Sequence, residues 1–473
     1  MSTDLGAIEL APTRTTSRSR WLVLGLLATA QLMLVLDVTV VNVALPDIGR
    51  SLRLSQGAVP WVMTTYTLAF GGLMLLGGRI ADQFGTRRVM LTGLGVFTSA
   101  SLLCGSAHSA EVLLAGRVAQ GIGAAIMSPA ALALVLRRFT GADRGRALGV
   151  WGALAGLGSA LGVILGGVLT SAVGWRWIFV INVPIGVLLL VTLPLVVPPV
   201  PSQPRSERQD VAGAVLVTAG TTAAIYGLVN VGQHGWLAAS TLLPLAAAIA
   251  LWIGFAIVEE RAAMPLLKVK LLRSRPVASG AFLMLVATGL MVGGFFLGSF
   301  VLQRRYDYSA LHVGLAYLPV ALAVVTGAHT GSKLLTAVSA RFVAVSGLLL
   351  ATAGEAIAAI AGGPVGVVIG LSVAALGIGA TFVTAFTAAL ADAAPEHAGL
   401  RSAVVNTFHE LGGSFGIAVL ASVAGGALAA AAPTAEAFQR AFTVAACIGA
   451  VGVVVAAFLV PKVFKADGQG HGH

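Results

Sequence analysis

Apolar runs of about 20 residues, long enough to carry a helix across a bilayer's hydrocarbon core, recur along the whole of this 473-residue chain, and nothing constrains its fold more. Their approximate centres fall near residues 33, 68, 97, 121, 158 and 187, then near 221, 248, 288, 321, 350, 376, 413 and 449. No water reaches backbone N–H and C=O groups in lipid, so each run must satisfy its own hydrogen bonds and is predicted to be a helix. With 57% hydrophobic and 10% charged residues and a mean hydropathy of +0.94, the make-up excludes an ordinary soluble domain. The expected fold is an all-α polytopic membrane protein of about fourteen transmembrane helices.

The formal net charge of +11 would suggest nucleic acid in a soluble protein. Placed between the predicted spans with the N-terminus cytoplasmic, however, most of the 29 Lys and Arg fall on the cytoplasmic side. Examples are Arg137, Arg138, Arg144 and Arg146 after span four, and Arg261, Lys268, Lys270, Arg273 and Arg275 after span eight. This is the positive-inside pattern, which predicts cytoplasmic termini and removes nucleic acid as a partner. RTTSRSR at 14–20 precedes the first span and no small-residue cleavage site follows it. The start therefore reads as a disordered tail, residues 1–20, leading into an uncleaved span. Cys104 and Cys447 fall within spans as small packing residues, with neither a disulfide framework nor a metal site implied. The terminal GHGH, 470–473, reads as a solvated tail. His108, His234, His312 and His329 are scattered over different loops and spans, which argues against a membrane enzyme with clustered catalytic groups.

Two loops repeat. GRIADQFGTRRVMLTG (78–93) follows span two and SKLLTAVSARFVAVSG (332–347) follows span ten. Aligned without gaps they pair Arg79 with Lys333, Ile80 with Leu334, Arg87 with Arg341 and Gly93 with Gly347. If each loop follows the second helix of a six-helix half, spans seven and eight are an insertion between the halves. The predicted division is a tail (1–20), an N-terminal half (21–200), the inserted pair with its flanking loops (201–275), a C-terminal half (276–461) and a second tail (462–473). Halves of this kind place a transport site between them near the midplane. Thr336 stands where the first loop has Asp82, so the loops differ in function. Gly78, Asp82, Gly85, Arg87 and Arg88 are expected to form a cytoplasmic gate. Asp82 would sit at the positive end of a helix of the other half, and the arginines would pair with acids such as Asp392 or Glu396.

A charge at the bilayer centre costs at least ~2.5–3.5 kcal/mol on insertion scales, so each one needs a reason. Asp37 interrupts LVLDVTVVNVALP (34–46), roughly 24 Å along span one from Trp21 at 1.5 Å per residue. Arg117 opens RVAQGIGAA (117–125), with Gln120, Gly121 and Ala124 on its helical face. An arginine keeps its charge, so Asp37, the acid deep in the same half, is its expected partner. If protonation of Asp37 breaks the pair, the pair becomes a coupling element. Glu410 shares a polar and small stripe of span thirteen with Asn406, Thr407, Gly413 and Ser414, and His409 lies about a hundred degrees around the helix. Glu355 of span eleven has Thr352 one turn away. In span five, Gly152, Gly156, Ser159 and Gly167 form one small-residue stripe, and Gly158, Gly162 and Gly166 another. Such stripes let helices approach closely, here across the interface between halves.

Together these motifs resemble the fourteen-span drug:proton antiporters of the major facilitator superfamily, the quaternary-ammonium and multidrug export branch. LDVTVVNVALP (36–46) is similar to its span-one motif, GRIADQFGTRR (78–88) to the superfamily's loop signature and RVAQGIGAA (117–125) to its span-four motif. WRWIFVINVPIG (175–186) and the stretch ALADAAPEHAGLRSAVVNTFHELGGSFGIAVL (389–420) are equally typical of the branch. The resemblance implies two six-helix halves plus two inserted helices. It also implies export of lipophilic, often cationic drugs or antibiotics in exchange for protons by alternating access, driven by the proton gradient with no bound cofactor. By the resemblance Asp37 would be the proton or cation site, Arg117 its partner and Glu410 a second acid; read from the residues themselves, Asn42, Gln120, Glu355, Asn406 and His409 are further candidates for the proton and substrate site. Asp82 and Arg88 would belong to the gate. The chain departs from the pattern where Val163, not proline, follows Gly162, and where His409 and Glu410 replace an arginine and a glutamine. The expected setting is a bacterial cytoplasmic membrane, with the chain working as a monomer on a small lipophilic substrate. A carrier for one narrow substrate (siderophore, lipid or metabolite) and a non-transporting membrane sensor remain alternatives.

Overall fold

The computed structural model describes residues 17–55, 57–139, 141–198, 210–262, 265, 269–360, 363–391, 395–428 and 434–462. The first half contains α1 (Ser17–Ser51), α2 (Trp61–Phe84), α3 (Thr86–Gly105), α4 (Ala110–Arg138) and α5 (Gly141–Ala172). It ends with α6 (Trp177–Val196), which is interrupted at Ile181. The inserted pair is α7 (Val211–His234) and α8 (Ala239–Arg261). The second half starts with α9 (Arg275–Phe300), continued by a π turn at Val301–Arg305, and α10 (Ala310–Ala337), broken at Tyr317. It is completed by α11 (Ala340–Ile360), α12 (Pro364–Leu390), α13 (Pro395–Ala424) and α14 (Ala435–Leu459). Twelve helices among the described residues are long and apolar enough to span a bilayer. The other two, α5 and α13, have 32 and 30 residues. The polar Asn406, His409 and Glu410 lower the hydropathy of α13 where it passes through the bundle.

Caps and turns follow local chemistry. Ser109 and Ser309 cap α4 and α10 with their hydroxyls, and the Asp210 carboxylate caps α7 through the Gly213 N–H. Gly85, with φ of 92°, makes the one-residue turn between α2 and α3, a backbone region that favours glycine.

The loop repeat extends through the helices. In the first half α1 packs on α5, α2 on α4, and α3 on α4 and α6; eight helices later α9 packs on α13, α10 on α12, and α11 on α12 and α14. Close contacts recur in both halves, those between α3 and α4 and between α11 and α12 at one constant spacing along the chain. A Cβ on Gly93 would lie 2.8 Å from the Gly123 carbonyl, and one on Gly347 would lie 2.8 Å from the Gly377 carbonyl. Thr98 of α3 abuts Gly186 of α6 as Thr352 of α11 abuts Gly449 of α14. Arg53 and Asp307, the positive-φ non-glycine residues, follow the first helix of each half at that same spacing.

The halves meet along three seams. At the end of the bundle away from the termini, Ser299 Oγ of α9 donates to the Asn42 carbonyl of α1 (3.0 Å) and Gln303 Nε2 to the Val43 carbonyl (2.8 Å). The π turn bears Gln303, as such bulges often do functional side chains. At that end too, a Cβ on Gly167 of α5 would lie 2.7 Å from the Ala310 carbonyl, one on Gly314 of α10 would lie 2.7 Å from the Val163 carbonyl, and Leu311 N–H donates to Ser171 Oγ (3.0 Å). Midway along, α2 meets α13: Thr67 and Ser414 hydroxyls lie 2.5 Å apart, and a Cβ on Gly71 would be 2.6 Å from Glu410 Cβ. The inserted pair lies over this last seam. Leu68 of α2, Ile225 and Val229 of α7, and Ala418 of α13 form one buried cluster.

The small-residue reading of α5 needs correction. Gly158, Gly162 and Gly166 pack on Val35, Thr39 and Val40 of α1, within the first half. Only Gly167, of the other stripe, reaches across to α10. The helical period gave both stripes but could not say which neighbour each one meets. The side chains of Gly152, Gly156 and Ser159 lie outside the described residues.

Candidate functional site

A buried polar cluster fills the middle of the first half. Asp37, Arg117, Gln120 and Ser101 are at most 2% exposed and Asn182 is 3% exposed. Arg117 Nη1 and Asp37 Oδ2 form a salt bridge. The same nitrogen donates to Gln120 Oε1 (3.0 Å), and Arg117 Nε donates to the Val62 carbonyl of α2 (2.9 Å). Gln120 Nε2 donates to Asp37 Oδ1 (3.1 Å) and to Ser101 Oγ (2.8 Å), while Asn182 Nδ2 reaches Asp37 Oδ1 at 3.4 Å. The guanidinium carbon lies 4.4 Å above the Tyr66 ring and 5.7 Å from that of Phe179. Five helices, α1, α2, α3, α4 and α6, therefore converge on one carboxylate and one guanidinium.

Such a pair survives without water because nearly every polar atom has a partner; a charge stripped of its mate in this setting is strongly destabilising. Two groups stay open: Arg117 Nη2 and the Tyr66 hydroxyl have no partner. Tyr66 is carried by α2, the helix that meets α13 of the opposite half.

The pairing of Asp37 with Arg117 places the carboxylate inside the helix packing, not at a hydrated outer interface. Ser101, Tyr66 and Asn182 carry no signal of their own in the sequence. A tyrosine or serine in a span is unremarkable, and the Asn182 side chain reaches the site only through the bend at Ile181. Cys104, read as a packing residue, points its thiol at Gln120 Oε1 (3.3 Å), while Cys447 is exposed on the outer surface of α14.

The other predicted residues spread out. Asn42 is buried at the α1–α9 seam with its side-chain oxygen unpartnered. Glu410 is half-buried at the α2–α13 seam, and Asn406 spends its amide on the Ser402 carbonyl of its own helix (3.1 Å). His409 stays within the second half, with Nδ1 2.9 Å from Thr288 Oγ1 and the ring 5.6 Å from that of Phe382. Glu355 is fully buried between α9, α11 and α12 with both oxygens unpartnered. In the first turn of α3, Arg87 Nη2 donates to the Pro194 carbonyl at the end of α6 (2.8 Å), and Arg88 is exposed. Arg79 Nη2 donates to the Pro265 carbonyl in the linker after the inserted pair (2.9 Å). Gly78 faces Pro129 of α4. The side chains of Asp82 and Glu396, residue Asp392 and the terminal GHGH lie outside the described residues.

Comparison with known proteins agrees with this architecture. The chain is 38% identical to a puromycin resistance protein of Streptomyces alboniger, over 90% of this chain and 86% of the relative. It is 36% identical to a cephamycin export protein of Amycolatopsis lactamdurans, over 90% of this chain and 89% of the relative. Among solved structures, a bacterial homologue of the human lysosomal transporter Spinster, in an inward-facing and unoccupied conformation, shares the fold. Its TM-score is 0.66 at 17% identity, covering 94% of this chain and 98% of that one. Residues 27–417 match the Major Facilitator Superfamily, and the chain belongs to that family of transporters.

Proposed function

We propose that this protein exports lipophilic, often cationic, antibiotic-like compounds in exchange for protons, with Asp37 as the proton site and Arg117 as the group that senses it. The carrying observation is the buried Asp37–Arg117 pair on adjoining helices. Protonating Asp37 removes the counter-charge from a guanidinium that cannot discharge. Arg117 keeps its bonds to the Val62 carbonyl and Gln120, and its unpartnered Nη2 is free to seek a new acceptor.

The effect has a short way to travel. Asn42, whose carbonyl ties α1 to α9, is five residues beyond Asp37, about 7.5 Å along the helix at 1.5 Å per residue. A change in charge at Asp37 therefore acts on the helix that holds the far end shut. Glu410, at the seam between the halves, offers a cationic substrate its counter-charge. Protons and substrate then compete, and a proton gradient directed into the cell drives the compound out. Export as the direction is supported by the names of the relatives, which are resistance and export proteins. The basic loops support cytoplasmic termini.

The test uses inside-out vesicles with an acid interior. Adding a panel of lipophilic cations and antibiotics should collapse the pH gradient for some compounds with the wild type and for none with Asp37→Asn. Gradient collapse of equal size in the Asp37→Asn vesicles would sink the role given to this carboxylate.

A further inference from the structure

The two halves share a frame, and that frame places a carboxylate in the second half beside the polar cluster's counterpart. Spacing fixed by Gly93 and Gly347, and by Gly123 and Gly377, matches α3 with α11 and α4 with α12. Carried along those helices, Ser101 corresponds to Glu355, Arg117 to Leu371 and Gln120 to Ala374. The second half therefore has an acid at the serine position, Met291 at the aspartate position, and neither the arginine nor the glutamine.

Glu355 is 0% exposed, and neither carboxyl oxygen has a hydrogen-bond partner. A Cβ on Gly294 of α9 would lie 3.1 Å from Oε1, 3.8 Å from Oε2 and 3.1 Å from Leu371 Cδ2. The carboxyl thus faces bare backbone, with an aliphatic side chain where the first half has its guanidinium. Among the described residues no cation pairs with this carboxyl. α9 has no ionisable side chain between Arg275 and Arg304, and α12 has none at all. On α14, Glu436, Arg440 and Cys447 are exposed, and Tyr317 of α10 spends its hydroxyl on the Phe295 carbonyl (2.8 Å). A carboxylate with neither counter-charge nor donor is among the costliest groups to bury. The neutral acid is the form this site can hold.

We propose that Glu355 is a second proton-binding site, built in the C-terminal half on the frame of the Asp37 cluster and occupied in the conformation seen here. The two sites differ in kind: at Asp37 a proton competes with a fixed guanidinium, whereas at Glu355 it meets no rival until the helices move. That the Glu355 proton is exchanged during a transport cycle rests on the antiport reading above; that Glu355 holds it does not.

Infrared difference spectra of the purified protein in lipid nanodiscs, recorded without substrate as the medium is taken from neutral to alkaline, test the assignment. The wild type should show a protonated-carboxyl C=O band that moves on 13C-glutamate labelling. Glu355→Gln should lose a component that Asp37→Asn and Glu410→Gln both retain. A glutamate band undiminished in Glu355→Gln overturns the proposal. If that variant does not fold, the labelled wild type still decides, because the complete absence of a protonated glutamate band overturns it equally. Since no substrate is present, failure here is distinct from failure of the vesicle assay.

Discussion

At Arg117 one side chain meets three acceptors in different directions: a carboxylate on α1, a backbone carbonyl on α2 and an amide oxygen on its own helix. Lysine could keep the charge but not the fork. Arg117→Lys should therefore lose charge-assisted hydrogen bonds worth about 1.5–3 kcal/mol each, and with them at least about tenfold in transport rate, measured as initial gradient collapse in vesicles. Arg117→Leu or Asp37→Leu alone should cost about 3–5 kcal/mol by stranding the other charge. The double replacement should regain most of that stability and none of the transport. Thermal unfolding of the four proteins in detergent, treated as a double-mutant cycle, checks this. Asp37, Arg117, Glu355 and Glu410 were legible in the sequence because a charge inside an apolar run is conspicuous and costly. Tyr66, Ser101 and Asn182 were not, since their part depends on which helix faces which, a property of packing that no single span encodes.

Helices contact one another through their smallest residues, and the pattern of small residues is only half of that information. The stripes of α5 were visible at helical spacing, but one of them serves the α1 neighbour within the half and, among the described glycines of α5, Gly167 serves the far seam. The repeat between the loops was faint as sequence, yet the glycines around Gly93 and Gly347 make it firm as geometry. Gly314→Val tests the far seam. Its side chain would press on the Val163 carbonyl, only 2.7 Å from the added carbon. Overpacking of this kind costs about 1–3 kcal/mol, here charged against the shut far end alone, so the two halves should stay folded. Cysteines placed at Asn42 and Ser299 should then form fewer crosslinks than in the parent, while thermal unfolding changes little.

For the whole molecule, the recurrence of apolar runs was sufficient to foresee fourteen long helices, twelve of them, among the described residues, apolar enough to span a bilayer, because hydrophobic length is a one-dimensional quantity. Where the insertion would dock is a three-dimensional one. It lies over the α2–α13 seam, and a Cβ on Gly72 would come 2.5 Å from Thr218 Oγ1 of α7. Gly72→Leu should push α7 off that seam. The expected results are a lower unfolding temperature and a faster loss of the pH gradient in vesicles given no substrate.

The covering of one seam also makes the carrier lopsided toward its surroundings. Of the two related edges where the halves meet, α2–α13 is roofed by the inserted pair, while α5–α10 has no such roof among the described residues. A molecule dissolved among the acyl chains thus meets two flanks of unlike character. Any sideways doorway from the leaflet into the carrier belongs on the α5–α10 flank, and the inserted pair acts as the wall that fixes which way it faces.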